Sequence, residues 1–192
     1  MPGGIKYKDL NGDGVINSAD AGYLPGKVPY PTSQFGISLG YHYGAFDVSV
    51  LFQGGLGGYD ILQGNGIFPF ARFGSALVEV ADNHWVSSNP NGNYMFPRIS
   101  SMPNTNNEQS STFWMYSSNY IRLKNAEIGY ALPVAWMTRV GIKRCRVFVN
   151  GINLLTWDKL KDFNIDPEIS NGGTGGYPVQ KVINVGLSFT LL

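Results

Sequence analysis

An oxygen-rich stretch near the start of the chain has the spacing of a calcium-binding loop. Oxygen-bearing side chains stand at positions 1, 3, 5, 9 and 12 of a twelve-residue stretch: Asp9, Asn11, Asp13, Asn17 and Asp20. Gly14 at position 6 permits the sharp turn, and the main-chain carbonyl of Val15 occupies position 7. Because hard oxygen ligands at this spacing converge on one cation, the pattern predicts a structural Ca2+ site.

A second interpretation of the same stretch stays open. Asn, Asp and Gly also form metal-free turns, in which side-chain oxygens accept hydrogen bonds from nearby main-chain N–H groups. Position 12 is Asp20 rather than the usual glutamate, which shortens the reach of the bidentate ligand. The spacing alone therefore leaves a calcium site and a plain turn as the two alternatives.

No arrangement of residues indicates catalysis. His42 and His84 lie in different segments with no carboxylate at ligand spacing. The scattered Ser, Asp and Glu residues form neither a nucleophile elbow nor a local acid and base pair. We therefore expect that the chain is not an enzyme.

Four aromatic residues are candidates for ligand contact: Trp85, Tyr94, Trp114 and Trp157. Flat aromatic faces can stack on sugar rings. The alternative is that these rings pack against neighbouring loops or a protein partner.

The composition is that of an all-β protein. The 192 residues include 25 Gly, 11 Tyr and 11 Phe, and only 14% are charged. Turn-forming glycine and strand-forming aromatics are typical of β structure. Because 14 Lys and Arg are balanced by 13 Asp and Glu, no basic excess favours a nucleic-acid partner.

Five segments have the period-two alternation of a strand with one apolar face. Their approximate bounds are 33–43, 45–54, 116–132, 143–155 and 182–192. The alternation changes parity near Asn125 and again at Ile152–Leu154, where a β-bulge would restore the facing. Strands of about ten residues or more, tilted near 45°, cover the hydrocarbon thickness of a bilayer. The pattern therefore predicts an antiparallel transmembrane β-barrel fragment of about five strands.

The connections between these segments alternate between short and long. Short ones lie at Gly44–Ala45 and at 133–142, and long ones at 55–115 and 156–181. Outer-membrane barrels have short periplasmic turns and longer extracellular loops. We therefore expect residues 1–32 and both long loops to be extracellular and the C-terminus to be periplasmic. Within the first long loop, Ser75–Val86 has the apolar spacing of a short helix.

Five strands are too few for a closed membrane barrel, since the smallest single-chain barrels have about eight. An open sheet edge in lipid leaves main-chain groups without partners. The first residues also lack the apolar region and the cleavage site of a signal peptide. We therefore expect that the chain is part of a longer protein.

Six blocks of the sequence, in order, resemble the C-terminal region of TonB-dependent transporters of the SusC/RagA family. The most specific is Tyr120-Ile121-Arg122-Leu123-Lys124-Asn125, continued by Gly129-Tyr130-Ala131-Leu132-Pro133. The others are 4–14, 47–54, 85–98, 146–155, and 166–168 with Tyr177-Pro178. One departure is the terminal Leu191-Leu192, where family members usually end in Phe.

The resemblance implies a function and partners. It implies TonB-dependent import of large nutrients, such as oligosaccharides or peptides, across the cell outer membrane. A SusD-like surface lipoprotein would act as a lid, and the TonB complex would act through an N-terminal part that this chain lacks.

The rival hypothesis is a secreted, calcium-binding β-sandwich that recognises glycans. Such a module would be a soluble monomer with its apolar strand faces closed into a core. The transporter hypothesis predicts instead that one apolar face of the sheet stays exposed for lipid.

Overall fold

The structure is a computed structural model and describes residues 1–64, 66–70, 74–169, 176, 177 and 179–191. Within it the chain forms two compact units. One unit contains a five-stranded sheet. The other is assembled from the first thirty residues and the long connections.

The strands of the large sheet are β1 (Ser33–Tyr43), β2 (Phe46–Leu56), β5 (Tyr120–Ala131), β6 (Ile142–Asp158) and β7 (Val182–Leu191). The short strands of the other unit are β3 (Tyr59–Ile61) and β4 (Met115–Ser117). Two short helices are α1 (Val78–Asp82) and α2 (Val134–Met137). Single turns of 3-10 helix cover Ser18–Asp20, Thr112–Trp114, Thr138–Val140 and Lys161–Phe163.

The large sheet is antiparallel throughout, with the strand order β1-β2-β5-β6-β7. Neighbours in space are therefore also neighbours in chain order, apart from the excursion through β3 and β4. Gly44, at a φ of 60°, and Ala45 close the turn between β1 and β2. The all-β prediction with five main strands is confirmed.

One predicted strand was wrong in its extent. The segment 116–132 forms two separate strands, β4 and β5, because residues 115–117 pair with Tyr59–Ile61 instead of continuing along β2. The main-chain N–H of Ser118 donates to the Gly58 carbonyl (3.0 Å), which ends that pairing before β5 begins at Tyr120. The polar residues Ser117, Ser118 and Asn119 mark this break in the sequence, but they do not show which partner each strand takes.

Both predicted irregularities are present. The register between β5 and β6 shifts between Leu123 and Asn125, opposite Leu155 and Ile152. Asn153 adopts a left-handed backbone with a φ of 54°, and its side-chain amide donates to the Gln180 carbonyl (3.0 Å). Between these pairs β6 has two residues, Asn153 and Leu154, where β5 has only Lys124, and β2 has none between Leu51 and Phe52. The extra residue in β5 keeps its apolar side chains on one face on both sides of the bulge.

The sheet has one apolar face and one polar face. An apolar row crosses all five strands through paired residues: Tyr41, Val48, Ile128, Val149 and Val185. The adjacent row on the opposite face is small and polar: Gly40, Ser49, Glu127, Asn150 and Asn184. The apolar row is exposed, from 40% at Val48 to 75% at Val185.

The other unit has a hydrophobic core of its own. Its buried residues are Leu62, Ile67, Val80, Phe96, Trp114, Leu160, Phe163 and Ile165. The predicted helix at 75–86 is shorter, and its facing was wrong: α1 buries Val80, whereas Val78 is 69% exposed. The expected long loop of little regular structure is therefore a packed unit. Among the described residues, no helix has the length and apolarity needed to cross a membrane.

Candidate functional site

The calcium-like stretch folds into a tight turn in which side-chain oxygens bind main-chain N–H groups. Asp9 Oδ1 accepts from the N–H of Gly12 (2.6 Å), and Asp9 Oδ2 accepts from the N–H of Gly14 (2.8 Å). Both glycines have a positive φ, 78° and 80°, which favours a residue without a side chain. Asp13 Oδ1 accepts from the N–H of Val15 (2.7 Å). The sequence dictates this local fold through its Asp and Gly positions.

Asp20 joins the two ends of this turn. Its Oδ1 accepts from the N–H of Leu10 (2.8 Å) and its Oδ2 from the N–H of Asn17 (2.8 Å). Asn17 in turn caps the 3-10 turn Ser18–Asp20 by accepting from the N–H of Ala19 (2.7 Å). The donors at Asn17 and Leu10 lower the pKa of Asp20, because they stabilise its charged form.

These hydrogen bonds bear on both interpretations of the stretch. They are the bonds that the metal-free turn requires. Oxygens that accept only one bond, such as Asp9 Oδ2, keep a lone pair for a cation, whereas Asp20 Oδ1 accepts from the N–H groups of both Leu10 (2.8 Å) and Asn11 (3.4 Å). Within the described residues, no group of three or more His, Cys, Asp or Glu is arranged to hold a metal ion. Calcium binding by Asp9, Asn11, Asp13, Val15, Asn17 and Asp20 stays a prediction.

The four aromatic candidates occupy different environments. Trp114 is buried and packs edge-on against Phe68 and Phe113, so its faces are not open to solvent. Trp85 and Tyr94 are half-buried, and their polar atoms bind the carbonyls of Pro90 (3.1 Å) and Asn89 (2.8 Å). The structure does not gather these residues into one stacking platform.

Trp157 lies on the sheet instead. It pairs with Ile121 at the end of β6 and is 52% exposed, on the apolar face. A half-polar ring at a strand end is typical of the boundary between lipid and water.

A charged cluster on the polar face of the sheet was missed in the sequence. The guanidinium of Arg146 on β6 donates to both carboxylate oxygens of Asp47 on β2 and to Glu127 Oε1 on β5 (2.7 Å). Asn150 continues the chain of bonds to Glu127 Oε2 (3.3 Å), and Asn184 donates to Asn150 Oδ1 (2.9 Å). The polar face thus carries a connected network from β2 to β7.

A glycine makes this cluster possible. Arg146 reaches across β5 to a strand that is not its neighbour, and it passes over Gly129. A Cβ atom at Gly129 would lie 2.2 Å from Arg146 Nη2 and 2.4 Å from its Cζ. The period-two alternation puts Asp47, Glu127 and Arg146 at polar positions, but only the register brings them together.

Comparison with known proteins identifies proteins of similar sequence and structure. No protein-family model matches the chain. TonB-dependent receptor P26 of Formosa agariphila is 35% identical over 203 residues, which cover 98% of this chain and 20% of that protein. TonB-dependent receptor P3 of the same organism is 29% identical, over 97% of this chain and 19% of its own length. The chain therefore spans about a fifth of the length of these curated relatives.

Solved structures show the same fold. The RagAB peptide transporter superposes with a TM-score of 0.67 at 23% identity, over 85% of this chain and 17% of that one. The RagAB peptide importer in its open-open state gives 0.64 at 25% identity, again over 85% and 17%. Most of the fold of this chain thus recurs within a much longer chain.

Proposed function

We propose that this chain, which is a stretch of a TonB-dependent transporter of the SusC/RagA type, forms part of the wall of an outer-membrane barrel and two of its loops. The family kinship that the sequence blocks suggested is the premise, and it rests on the receptors and transporters to which nearly the whole chain is similar. The complete protein, of which this chain spans about a fifth in its relatives, would import nutrients.

The two-faced sheet is the observation that carries this proposal. A soluble domain buries its apolar strand faces, whereas this sheet leaves Ile183, Val185 and Leu187 between 65% and 75% exposed. Apolar-out alternation of this kind is the pattern of a membrane barrel strand. The polar face, with its network from Asp47 to Asn184, suits a water-filled lumen.

The same exposure argues against the rival sandwich. A glycan-binding β-sandwich would pack the row from Tyr41 to Val185 against a second sheet about 10 Å away. That row is exposed in every strand of the sheet. The named relatives are receptors and transporters, which fits a chain that is not an enzyme.

The strand ends suggest an orientation. The long connections at 57–119 and 159–181 leave one end of the sheet, and the turn at Gly44–Ala45 and the connection at 132–141 leave the other. Long loops of outer-membrane barrels are extracellular. We infer that residues 1–32 and the long connections face outward and that the end of β7 faces the periplasm.

The family kinship suggests a substrate class and partners. Similarity to the RagAB peptide transporter supports a large nutrient such as a peptide, and an oligosaccharide is the alternative. A SusD-like lipoprotein would cover the extracellular loops, and TonB would act on a part of the protein outside this chain.

Fluorescent labels at the positions expected to face lipid test whether the sheet forms part of a barrel wall. In the complete protein with Cys145→Ser, single cysteines at Val185 and Leu187 would carry an environment-sensitive fluorophore, with Asn184 and Ser188 as matched neighbours. After reconstitution with nitroxide-bearing lipid, labels at the first pair should be quenched and those at the second pair should not. Equal quenching at all four positions would contradict the proposed wall.

Uptake tests the transport function. Cells that express the complete protein with its lipoprotein would be given labelled oligopeptides or oligosaccharides. Uptake of one class should stop when the proton gradient that energises TonB is dissipated. Uptake that persists without the gradient would show that the protein is not a TonB-dependent importer.

A further inference from the structure

The connection between β5 and β6 forms a short helical turn at one end of the five-stranded sheet. Its helix α2 continues into the 3-10 turn Thr138–Val140 and ends at Gly141, which has a left-handed φ of 73°. The N–H of Leu132 donates to the Cys145 carbonyl (2.8 Å), which attaches the start of the connection to β6. The turn therefore lies at a fixed place relative to the ends of both strands.

The length of β6 gives the distance from this turn to the opposite end of the apolar face. β6 has 17 residues, of which Lys143 and one of the pair Asn153–Leu154 are extra residues at register shifts. At about 3.3 Å per residue and a tilt near 45°, the stretch from Ile142 to Trp157 covers about 30 Å, the hydrocarbon thickness of a bilayer. In the proposed barrel wall, Trp157 lies at one boundary between lipid and water, so the connection at 132–141 lies at the other.

The turn exposes apolar side chains at this second boundary. Trp136 is 62% exposed, and Val134 is exposed beside it. Within the part of the chain that the structure describes, the indole N–H of Trp136 has no hydrogen-bond partner. Tyr43 and Phe46, at the same end of the apolar face, are exposed as well. Rings with an apolar body and a free polar atom suit the interfacial layer of a membrane.

Two cations accompany the ring of Trp136. Arg139 follows it by three residues in the helical turn, so the two side chains leave the same side. Lys143 is the extra residue at the register shift between Ile142 and Arg144, so it is not bound to the alternation of the strand. Arg139 and Lys143 are exposed, and neither forms an ion pair with any residue that the structure describes.

The sequence around these cations supplies no compensating acid. No Asp or Glu occurs from 128 to 157, whereas Lys159 and Lys161, beyond the other end of β6, alternate with Asp158 and Asp162. The excess positive charge therefore lies at the boundary that carries Trp136. Arg and Lys bind phosphate oxygens through charge-assisted hydrogen bonds. An anionic headgroup fits better than a zwitterionic one, because a zwitterionic headgroup already carries its own cation.

We propose that this turn binds an anionic phospholipid of the periplasmic leaflet. The phosphate oxygens accept from Arg139 and Lys143, and Trp136 lies beside the glycerol group below them. Arg144 takes no part, because its pairing with Thr190 places it on the polar face of the sheet. The inference rests on the proposed barrel wall and adds to it a lipid site that the import function does not require.

Trp136 and Trp157 provide reporters at the two boundaries. The complete protein, labelled with fluorotryptophan, would be placed in phosphatidylcholine nanodiscs that contain a small, equal fraction of nitroxide-bearing phosphatidylglycerol or phosphatidylcholine. The fluorine resonances would be assigned by their loss in Trp136→Phe and Trp157→Phe. The anionic lipid should broaden the Trp136 resonance at least about fivefold more, since one cation near a membrane surface favours an anionic lipid by about that factor. The two lipids should broaden the Trp157 resonance almost equally.

Matched variants test which cation makes the contact. Arg139→Gln should lower the preference for phosphatidylglycerol at Trp136 by about fivefold, whereas Arg139→Lys should retain most of it. Arg144→Gln removes the same charge from the polar face and should leave the preference almost unchanged. Equal losses in Arg139→Gln and Arg144→Gln would show a general effect of net charge, and the proposed site would be wrong.

The remaining outcomes separate this site from the barrel wall. Equal broadening of the Trp136 resonance by both lipids would overturn the anionic site. No broadening by either lipid would also overturn it, and would mean that a protein surface covers the turn. In both cases, lipid contact at Trp157 and quenching of the labels at Val185 would still support the wall. Loss of lipid contact at all three positions would contradict the wall itself, and the lipid site with it.

Discussion

Asp9, Asp13 and Asp20 place three carboxylates in one exposed turn, where their mutual repulsion favours an added cation. We expect Ca2+ to bind the complete protein with a dissociation constant of about 10⁻⁴–10⁻³ M, the range of extracellular modules. Mg2+ should bind more weakly, because it requires a smaller octahedron and keeps its waters. Calorimetric titration of the protein with each ion measures both.

A matched pair of substitutions distinguishes the loss of calcium binding from the loss of the turn. Asp13→Asn keeps an oxygen for the N–H of Val15 but removes a charge, so it should weaken calcium binding and leave the turn intact. Asp13→Ala should remove both the charge and the oxygen that accepts from the N–H of Val15. If the wild type gives no heat that Asp13→Ala abolishes, the stretch is only a turn.

Gly129 should matter because it leaves room for Arg146. In Gly129→Ala the new Cβ displaces the guanidinium, since the clash is with the far end of a flexible side chain. Because Arg146 and Asp47 are about a third exposed (30% and 33%), solvent screening keeps the expected loss of unfolding free energy small. Equilibrium unfolding in urea with lipid vesicles measures it.

Two comparisons check that explanation. Gly40→Ala should change the unfolding free energy little, because its Cβ would meet its nearest neighbour at an ordinary 4.0 Å. Gly129→Ala should also cost little when Arg146→Gln is already present, since both act on the same contacts. Additive costs in the double variant would show that Gly129 acts in another way.

Residue types and spacing predicted part of these sites and not the rest. The Asp9–Asp20 stretch was recognisable because its contacts are local: most of its bonds join residues two to ten apart. The cluster at Arg146 and the buried Asn107, whose Oδ1 accepts from the N–H of Ile5, were not, because Asp47 and Ile5 lie 99 and 102 residues away from them. Alternation assigns a residue to a face but does not supply the register.

At the scale of single strands, facing determines the cost of a charge. Val185 lies on the exposed apolar face of β7 and Asn184 on the polar face. In the complete protein, Val185→Arg should cost about 2–4 kcal/mol near the middle of the bilayer, whereas Asn184→Arg should cost much less. Folding into lipid vesicles, followed by heat-dependent gel mobility, measures the difference. Equal costs would mean that the facing is reversed.

Strands with clean alternation were well predicted, and the ambiguous one was not. β1 and β7 follow the pattern because their apolar residues alternate without interruption. The segment from 116 onward was predicted as a single strand, although the polar residues Ser117, Ser118 and Asn119 interrupt its apolar residues. The structure divides it, since a short strand 54 residues earlier, Tyr59–Ile61, competes for its first part.

For the whole molecule, the unpaired edges of the sheet limit what the chain can form by itself in a membrane. Among the described residues, β1 pairs only with β2 and β7 only with β6. Unpaired main-chain groups cannot stay exposed in lipid, so the 192-residue chain alone should form no pore. Planar-bilayer recordings of the purified chain should show no uniform conductance. A stable single conductance level would refute this expectation.

The unequal connections also separate the steps of assembly in time. β1 and β2 meet across a two-residue turn, and such hairpins form in about 1–10 μs. β5 reaches β2 only after residues 57–119 have been brought back on themselves. By loop-closure entropy, those 63 residues cost about 3 kcal/mol more than a two-residue turn. Early collapse around Trp114 and Phe96 would shorten the effective loop, so a substitution in that core should delay the pairing of β2 with β5 even where the finished sheet is unchanged.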